Sequence, residues 1–226
     1  MPDEPVAVVL AAGVGSRTGH ELPKQFLDLN GRPVLARTVA NLAWCRRVVV
    51  VHHPEHLDRT REVLRDAAPP DRLVLVPGGA TRRLSVAAAL AAVADLPDAV
   101  PLVLQNAASP NTPVELVEQC VAALESYDVA QAYVPAVHTV FEHENGELAR
   151  VLPRVDLGYS ADPTVYRLGC LRRIAAAQAA AVSLGEMTLD TARALGIPVR
   201  LVPSPDTNIK LTTVTDLLVL QQLTAT

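Results

Sequence analysis

The stretch Val6–Gly19, VAVVLAAGVGSRTG, decides the fold. Val6–Ala12 is a continuous β-rich apolar run, the pattern of a strand buried on both faces. It leads directly into a glycine-rich turn. Gly13 and Gly15 carry no side chain, so the backbone there can approach a ligand closely and offer N–H groups. Similar apolar runs recur at Arg47–His52 (RVVVVH), Leu73–Pro77 (LVLVP) and Pro101–Leu104 (PLVL). Amphipathic helical stretches lie between them, at Val34–Ala43, Leu57–Ala67, Arg83–Ala94 and Pro113–Ser126. Strand and helix alternate, so the expected fold is α/β, a Rossmann-like, mostly parallel sheet with helices on both faces and right-handed crossovers. Ligands in such sheets bind beyond the carboxyl ends of the strands.

The alternation breaks after Tyr133. Val137–Leu152 (VHTVFEHENGELARVL) reads as two extended arms around Asn145-Gly146, the strongest short hairpin signal. So polar a hairpin has little apolar surface with which to stand alone, and a second subunit is a fair candidate to receive it. Helix returns at Leu168–Ser183, a strand at Val199–Val202 and a last helix at Thr215–Leu223. The alanine-rich run Ile174–Ala181 belongs to a helix, because alanine has the best helix propensity. There is no internal repeat or linker, and residues 1–226 are expected to form one domain.

Composition narrows the function. Half the residues are apolar and few are aromatic, so the core must be aliphatic. A formal net charge of -4 argues against binding a nucleic-acid backbone and leaves a nucleotide monomer possible. Cys45, Cys120 and Cys170 are odd in number and form no CxxC pair, which suits thiols packed in a reducing cytoplasm. No apolar run reaches membrane-spanning length, and neither a signal peptide nor an anchor is expected.

The turn itself excludes two common phosphate loops. No Gly-Lys-Ser/Thr follows at the spacing of a Walker A loop, and the third glycine of GxGxxG is absent after Gly13-Val14-Gly15. A lone GxG is compatible with a plain strand-to-helix turn. Arg17 and Lys24 strengthen the functional reading, with Pro23 stiffening the approach to the lysine. Backbone donors plus two cations suit a triphosphate. Only Lys24 and Lys210 are lysines; the other eighteen Lys/Arg positions are arginine. Lysine is a compact point charge and arginine a planar fork, so a lysine placed between phosphates is not interchangeable with arginine.

With these residues in view, LAAGVGSRTGHELPKQFLDLNGRPVLARTV resembles the N-terminal signature of the 2-C-methyl-D-erythritol 4-phosphate cytidylyltransferase family, of the non-mevalonate isoprenoid pathway. PGGATRRLSVAAAL (Pro77–Leu90) resembles the family's GG-x-x-R-x-x-S-V segment. TNIKLTTVTDL (Thr207–Leu217) resembles its N-I-K-[IV]-T-x-x-x-D-L segment. The resemblance implies a homodimeric enzyme that transfers CMP from CTP to a small phosphorylated polyol and releases pyrophosphate, with magnesium assisting. Carried over residue by residue, Ala11, Ala12, Gly13 and Gly15 supply backbone contacts to the CTP phosphates. Arg17 and Lys24 stabilise charge around the α-phosphate. Gly79 and Ala80 hold cytosine through backbone groups and Ser85 through its side chain. Arg82 orients that loop, and Ala107 joins the nucleotide-binding set. Lys210 contacts the acceptor phosphate and the α-phosphate. Thr139, Asn106 and Arg154 bind the acceptor, with Arg154 reaching across to the neighbouring subunit.

The acceptor and metal half departs from the family pattern. Where the family has H-D-A-A-R-P, with the aspartate as magnesium ligand and the arginine on the acceptor, this chain has Gln105-Asn106-Ala107-Ala108-Ser109-Pro110. Asn106 offers a metal one neutral oxygen, and magnesium prefers carboxylates, so its affinity should fall. Ser109 cannot replace an arginine fork. V-P-x-x-D-T-[IM]-K keeps Thr139 but has His138 and Phe141 in place of the aspartate and lysine. T-P-Q-x-F becomes Asp162-Pro163-Thr164-Val165-Tyr166, and T-D-[DE]-A is reduced to Met187-Thr188-Leu189-Asp190. Three readings follow: the family reaction, cytidylyl transfer to a different phosphate or phosphonate acceptor, or a catalytically degenerate nucleotide-binding protein.

Other polar groups read more plainly. His52, His53 and His56 suit a solvated loop, since adjacent histidines on a strand point to opposite faces. Asp206 fits either a turn or an approach to a nucleotide-bound metal. Asp216 suits the N-terminus of the last helix.

Overall fold

The computed structural model describes residues 4–13, 22–181 and 188–225. Gly15 and Arg17 therefore lie outside the described residues. In chain order the strands are β1 (Val6–Ala11), β2 (Asp28–Leu29), β3 (Arg32–Pro33), β4 (Arg47–His52), β5 (Leu73–Pro77), β6 (Pro101–Asn106) and β7 (Val129–Pro135). Then come β8 (Val140–Glu144), β9 (Glu147–Leu152), β10 (Gly158–Arg167) and β11 (Val199–Pro203). The helices are α1 (Val34–Ala40), α2 (Leu57–Leu64), α3 (Arg82–Ala91), α4 (Val114–Ala122), α5 (Leu168–Ala180), α6 (Thr188–Ala194) and α7 (Val214–Leu223).

Seven strands form one sheet in the order β11-β7-β10-β6-β1-β4-β5. β1 lies parallel to both β4 and β6, and β4 to β5. β10 runs antiparallel between β6 and β7, and β11 returns parallel to β7. The sheet is thus mixed but mostly parallel.

Alternation along β1 explains its burial. Ala7, Val9 and Ala11 pack into the layer of α1, α2 and α4, whereas Val6 and Val8 pack into the layer of α3, α5 and α6. Period 2 sends successive side chains to opposite faces, and both faces are covered by helices. A third, small cluster seats α7 through Leu220, and the preceding segment through Leu211, against Leu29, Val34 and Ala108. α7 starts with a capping box. The Asp216 carboxylate accepts from the Thr212 and Thr213 amides at 2.8 and 2.7 Å, and the Thr213 hydroxyl accepts from the Asp216 amide.

The chain leaves β1 for β4 and β5 on one side, then crosses back to β6 on the other. That reversal opens a crevice past the carboxyl ends of β1 and β6. The hairpin forms as its turn demands: Asn145 and Gly146 have φ of 51° and 90°, and β8 and β9 make a separate two-stranded sheet. β10 carries no clear strand signal in the sequence. Gly158, Asp162 and Pro163 interrupt its apolar pattern, and its pairing with β7 shifts register between Ser160 and Thr164.

Candidate functional site

A cleft of about 310 Å³ opens at that switch point. It is lined by the end of β1 and the turn after it, by Lys24 and Gln25, by residues 79–82 with Ser85, by residues 106–108, and by Lys210. Segments far apart in sequence meet here for identifiable reasons.

The first loop is pinned by Gln25. This glutamine is buried at 3 % exposure, and its Nε2 donates to the carbonyls of Ala11 at 2.9 Å and Gly13 at 3.0 Å. Pro23 sets up a single 3-10 turn, Lys24–Phe26, which presents Gln25 to the loop and Lys24 to the cleft. Lys24 Nζ donates to the carbonyl of Leu211 at 2.9 Å, which ties the lysine to the segment carrying Lys210.

The second wall follows β5. Gly78 and Gly79 are required by crowding: a Cβ on Gly78 would stand 2.5 Å from the Ala12 Cβ, and one on Gly79 would stand 2.3 Å from the Leu84 Cβ. Any side chain there would displace the turn that lets Ala80 and Thr81 face the cleft. Thr81 caps α3, its hydroxyl accepting from the Leu84 amide at 3.2 Å. Ser85, one turn into that helix, is buried and donates to the carbonyl of Gly79 at 3.4 Å.

The third wall is the end of β6. Ala107 is fixed on both sides: its amide donates to Leu10, and its carbonyl accepts from the Thr38 hydroxyl at 2.9 Å. Asn106 sits between opposite charges. Its Oδ1 accepts from Arg82 Nη1 at 3.0 Å, and its Nδ2 donates to Asp162 Oδ1 at 2.7 Å. A guanidinium only donates and a carboxylate only accepts, so these neighbours fix the orientation of the amide. Beyond it, the Thr112 hydroxyl donates to Asn208 Oδ1 at 2.9 Å, and Asn208 Nδ2 donates to the Asp162 carbonyl at 2.6 Å. The Leu211 amide donates to Ala108 at 2.7 Å. These bonds dock the segment of Lys210 onto the cleft.

The end of a buried strand at a sheet's switch point, with two lysines beside it, suits a phosphorylated ligand. Comparison with known proteins agrees. The family model IspD, 2-C-methyl-D-erythritol 4-phosphate cytidylyltransferase, matches residues 6–225. The chain belongs to this family. A 2-C-methyl-D-erythritol 4-phosphate cytidylyltransferase of Thermobifida fusca is 37% identical over 232 residues, covering 97% of this chain and 93% of the relative. A bifunctional enzyme IspD/IspF of Rhodobacter capsulatus is 34% identical over 205 residues, covering 91% of this chain and 52% of the relative. The chain thus spans about half the length of the bifunctional relatives it matches. The crystal structure of 2-C-methyl-D-erythritol 4-phosphate cytidylyltransferase from Thermus thermophilus superposes with a TM-score of 0.77 at 27% identity, covering 99% of this chain and 100% of that one.

Against the expectations for an IspD site, the cleft brings together Ala11, Ala12, Gly13, Lys24, Gly79, Ala80, Arg82, Ser85, Asn106, Ala107 and Lys210. Gly15 and Arg17 fall outside the described residues. Thr139 and Arg154 do not line the cleft. Both are exposed at the base of the hairpin, where Arg154 Nη1 donates to the Val137 carbonyl at 2.9 Å. Asp206 lies in a turn closed by the Asn208 amide on Pro205, away from the cleft. Two residues escaped sequence reading. Gln25 follows the singled-out lysine directly, and a buried amide beside a backbone cradle was the available signal. Asn208 stands within the recognised N-I-K segment, but its role as a clasp emerges only from its partners.

The residues present do not fit a magnesium ion held by the protein. Among the described residues the cleft lining contains no carboxylate, Asp162 meeting it only by accepting from Asn106 Nδ2, and the one amide oxygen that Asn106 could offer a metal accepts from Arg82. Among the described residues no group of three or more His, Cys, Asp or Glu is placed to hold a metal. The histidines after β4 have other partners. His53 Nδ1 accepts from the Glu55 amide, and the His56 ring meets Phe26 edge-on at 5.6 Å.

Proposed function

We propose that residues 1–226 act as one nucleotidyltransferase unit that transfers CMP from CTP to a small phosphorylated polyol of the 2-C-methyl-D-erythritol 4-phosphate type, a step toward isoprenoid precursors. The observation that carries this reading is the convergence of both lysines of the chain on one cleft, together with Gly79, Ser85 and the loop after β1. In this reading Ala11, Ala12, Gly13 and Gly15 hold the triphosphate by backbone groups. Gly79, Ala80 and Ser85 hold the cytosine, and Ala107 closes the nucleotide site. An oxygen of the acceptor phosphate attacks the α-phosphorus; a P–O bond forms to it, and the bond to the β-phosphate oxygen breaks as pyrophosphate leaves. No protein nucleophile is required. Arg17, Lys24 and Lys210 offset the charge that builds on the phosphate oxygens, and the pinned loop keeps the reacting groups aligned. Magnesium would enter with the nucleotide's phosphates.

Thr139 and Arg154 take part only if a second copy brings them to this cleft. The arm, with Val137, Phe141, Leu148 and Val151 each more than half exposed, supports a homodimer built through it. Three buried, unpaired cysteines support a reducing cytoplasm as the place of work. No helix among the described residues is long and apolar enough to cross a membrane.

Pyrophosphate release from CTP, with magnesium and methylerythritol phosphate, tests the reading, with Lys24→Ala as the control. Release by the wild type that drops at least about a hundredfold in the variant is the expected result, the scale of removing one preorganised charge from a transition state. CTP binding without any release, across methylerythritol phosphate and other phosphorylated acceptors, would replace it with the degenerate nucleotide binder.

A further inference from the structure

Gln105 is an amide where the fold asks only for bulk. It follows Val103 and Leu104 in β6 and pairs with Val9 of β1. It is 1 % exposed, and its Oε1 has no hydrogen-bond partner among the described residues. A buried acceptor left unpaired destabilises a fold, whereas an apolar side chain of the same shape does not. What the amide supplies is its other end. Nε2 donates to the Thr112 hydroxyl at 2.8 Å and to the Ser109 carbonyl at 3.3 Å.

From there the bonds run in one direction. Asn208 Nδ2 spends both its hydrogens, on the Asp162 carbonyl at 2.6 Å and on the Ser204 hydroxyl oxygen at 2.9 Å. Asn208 Oδ1 can only accept, and it does so from the Thr112 hydroxyl at 2.9 Å. Thr112 has one hydrogen to give and a second acceptor in reach, the Ser109 carbonyl at 3.3 Å. Gln105 decides between the two. By serving the Ser109 carbonyl itself, it leaves the hydrogen of Thr112 to Asn208. Ser109, Thr112 and Asn208 are all buried, so each of these bonds lacks a ready substitute from solvent.

We propose that Gln105 is a positioning residue for Lys210, acting through the directed chain Gln105–Thr112–Asn208. The proposal rests on the transferase reading above. Lys210 lines the cleft, and Gln105 does not. Lys210 rides on a short span held at both ends. At one end is Asn208, two positions before it, with the Thr207 carbonyl accepting from Asn111 Nδ2 at 2.8 Å. At the other is Leu211, whose amide donates to the Ala108 carbonyl at 2.7 Å. A lysine charge sits on a flexible four-carbon stem, so it meets a phosphate oxygen reliably only if its backbone is fixed. Without Gln105 the buried Ser109 carbonyl claims the hydrogen of Thr112, Asn208 Oδ1 loses its donor, and one end of the span loosens.

The test separates the donor from the bulk. Gln105→Met keeps the volume and removes both the donor and the unpaired acceptor. Thr112→Val removes the hydroxyl and keeps the shape, and Thr112→Ser keeps the hydroxyl. Wild type, these three and the double variant Q105M/T112V are compared for kcat and for the KM of CTP in pyrophosphate release with methylerythritol phosphate. CTP binding by calorimetry and the urea midpoint check that each is folded. In Gln105→Met the urea midpoint should hold and the KM for CTP should stay within about twofold, while kcat falls about ten- to a hundredfold, the scale of a charge held about 1 Å out of place. Thr112→Val should show the same loss, and Thr112→Ser should restore kcat to within about threefold of the wild type. The double variant should be no worse than either single one, because both break one chain. A kcat that holds in Gln105→Met, or losses that multiply in the double variant, overturns the proposal and leaves the transferase reading standing. A wild type that binds CTP but releases no pyrophosphate with any phosphorylated acceptor overturns both.

Discussion

Gln25→Met removes the two bonds that pin the first loop and little else. Methionine fills nearly the same volume in this buried site but donates nothing. The carbonyl of Ala11 loses its bond at the buried end of β1, and that of Gly13, an exposed residue, can recover a partner from water. The Ala11 side thus costs the larger share, about 1–3 kcal/mol for a buried carbonyl left without this donor, and the Gly13 side a few tenths. The expected loss of folding stability is about 2 kcal/mol, read as a lower urea midpoint at unchanged slope. The decisive measurement is the KM for CTP. If this loop cradles the triphosphate, unpinning it makes the cradle pay an ordering cost on binding, and KM rises about tenfold for a coupling near 1.4 kcal/mol. The KM for the acceptor should move much less. A variant that loses the stability but keeps its KM for CTP within twofold would refute the argument, since Gln25 would then serve the fold alone.

Two further predictions follow from burial and exposure. Burial pushes the Cys45 and Cys120 thiols from 9.0 up to about 12, and the Tyr166 phenol from 10.0 up to about 12 against its bond with Thr188. The unfolded chain therefore ionises these groups first, so stability holds below about pH 9 and falls above it by roughly 1.4 kcal/mol per pH unit for each thiol. Urea unfolding at a series of pH values should show this decline, and Cys45→Ala should make it shallower; an unchanged slope would count against the thiol as its source. On the arm, Phe141 lies opposite Val151 in β9, and both are more than half exposed. In the proposed homodimer, in which Arg154 and Thr139 reach the neighbour's cleft, Phe141→Asp should yield a monomer in sedimentation and lower turnover. A dimer that survives the change would place its interface elsewhere.

What could be read from the chain alone follows the range of the interactions involved. β1, β4, β5 and β6 were legible because strands covered on both faces need unbroken aliphatic runs, although β6 continues two polar residues, Gln105 and Asn106, past its run. The hairpin was legible because Asn145-Gly146 accepts positive φ at both turn positions. β10 was not, because it is antiparallel, carries a register shift and contains Asp162-Pro163, so its place between β6 and β7 depends on partners rather than on its own pattern. α6 was missed for a similar reason: Thr188–Ala194 is short, and its buried Thr191 and Ala192 give little apolar signal. In the site, Lys24 and Lys210 stood out by residue type. Gln25 and Asn208 did not, because amides gain meaning only from the carbonyls they meet.

The sharpest case is the acceptor half. Read along the chain, asparagine for aspartate at 106 and serine for arginine at 109 look like the decay of a catalytic motif. Decay predicts substitutions that are independent of one another. Instead, a single carboxylate, itself a departure at 162, takes one oxygen to each of the two altered side chains. The amide at 106 also accepts from Arg82 Nη1 through Oδ1, so both ends of the side chain are satisfied at once. Three changes that satisfy one another's hydrogen bonds describe a site that has been rebuilt around a different distribution of charge. The loop after β1 and the wall after β5, with Lys24, Gly13, Gly79 and Ser85, show no such change. A transferase with an altered hold on its acceptor accounts for both halves, whereas loss of function accounts for neither the retained lysines nor the concerted trio.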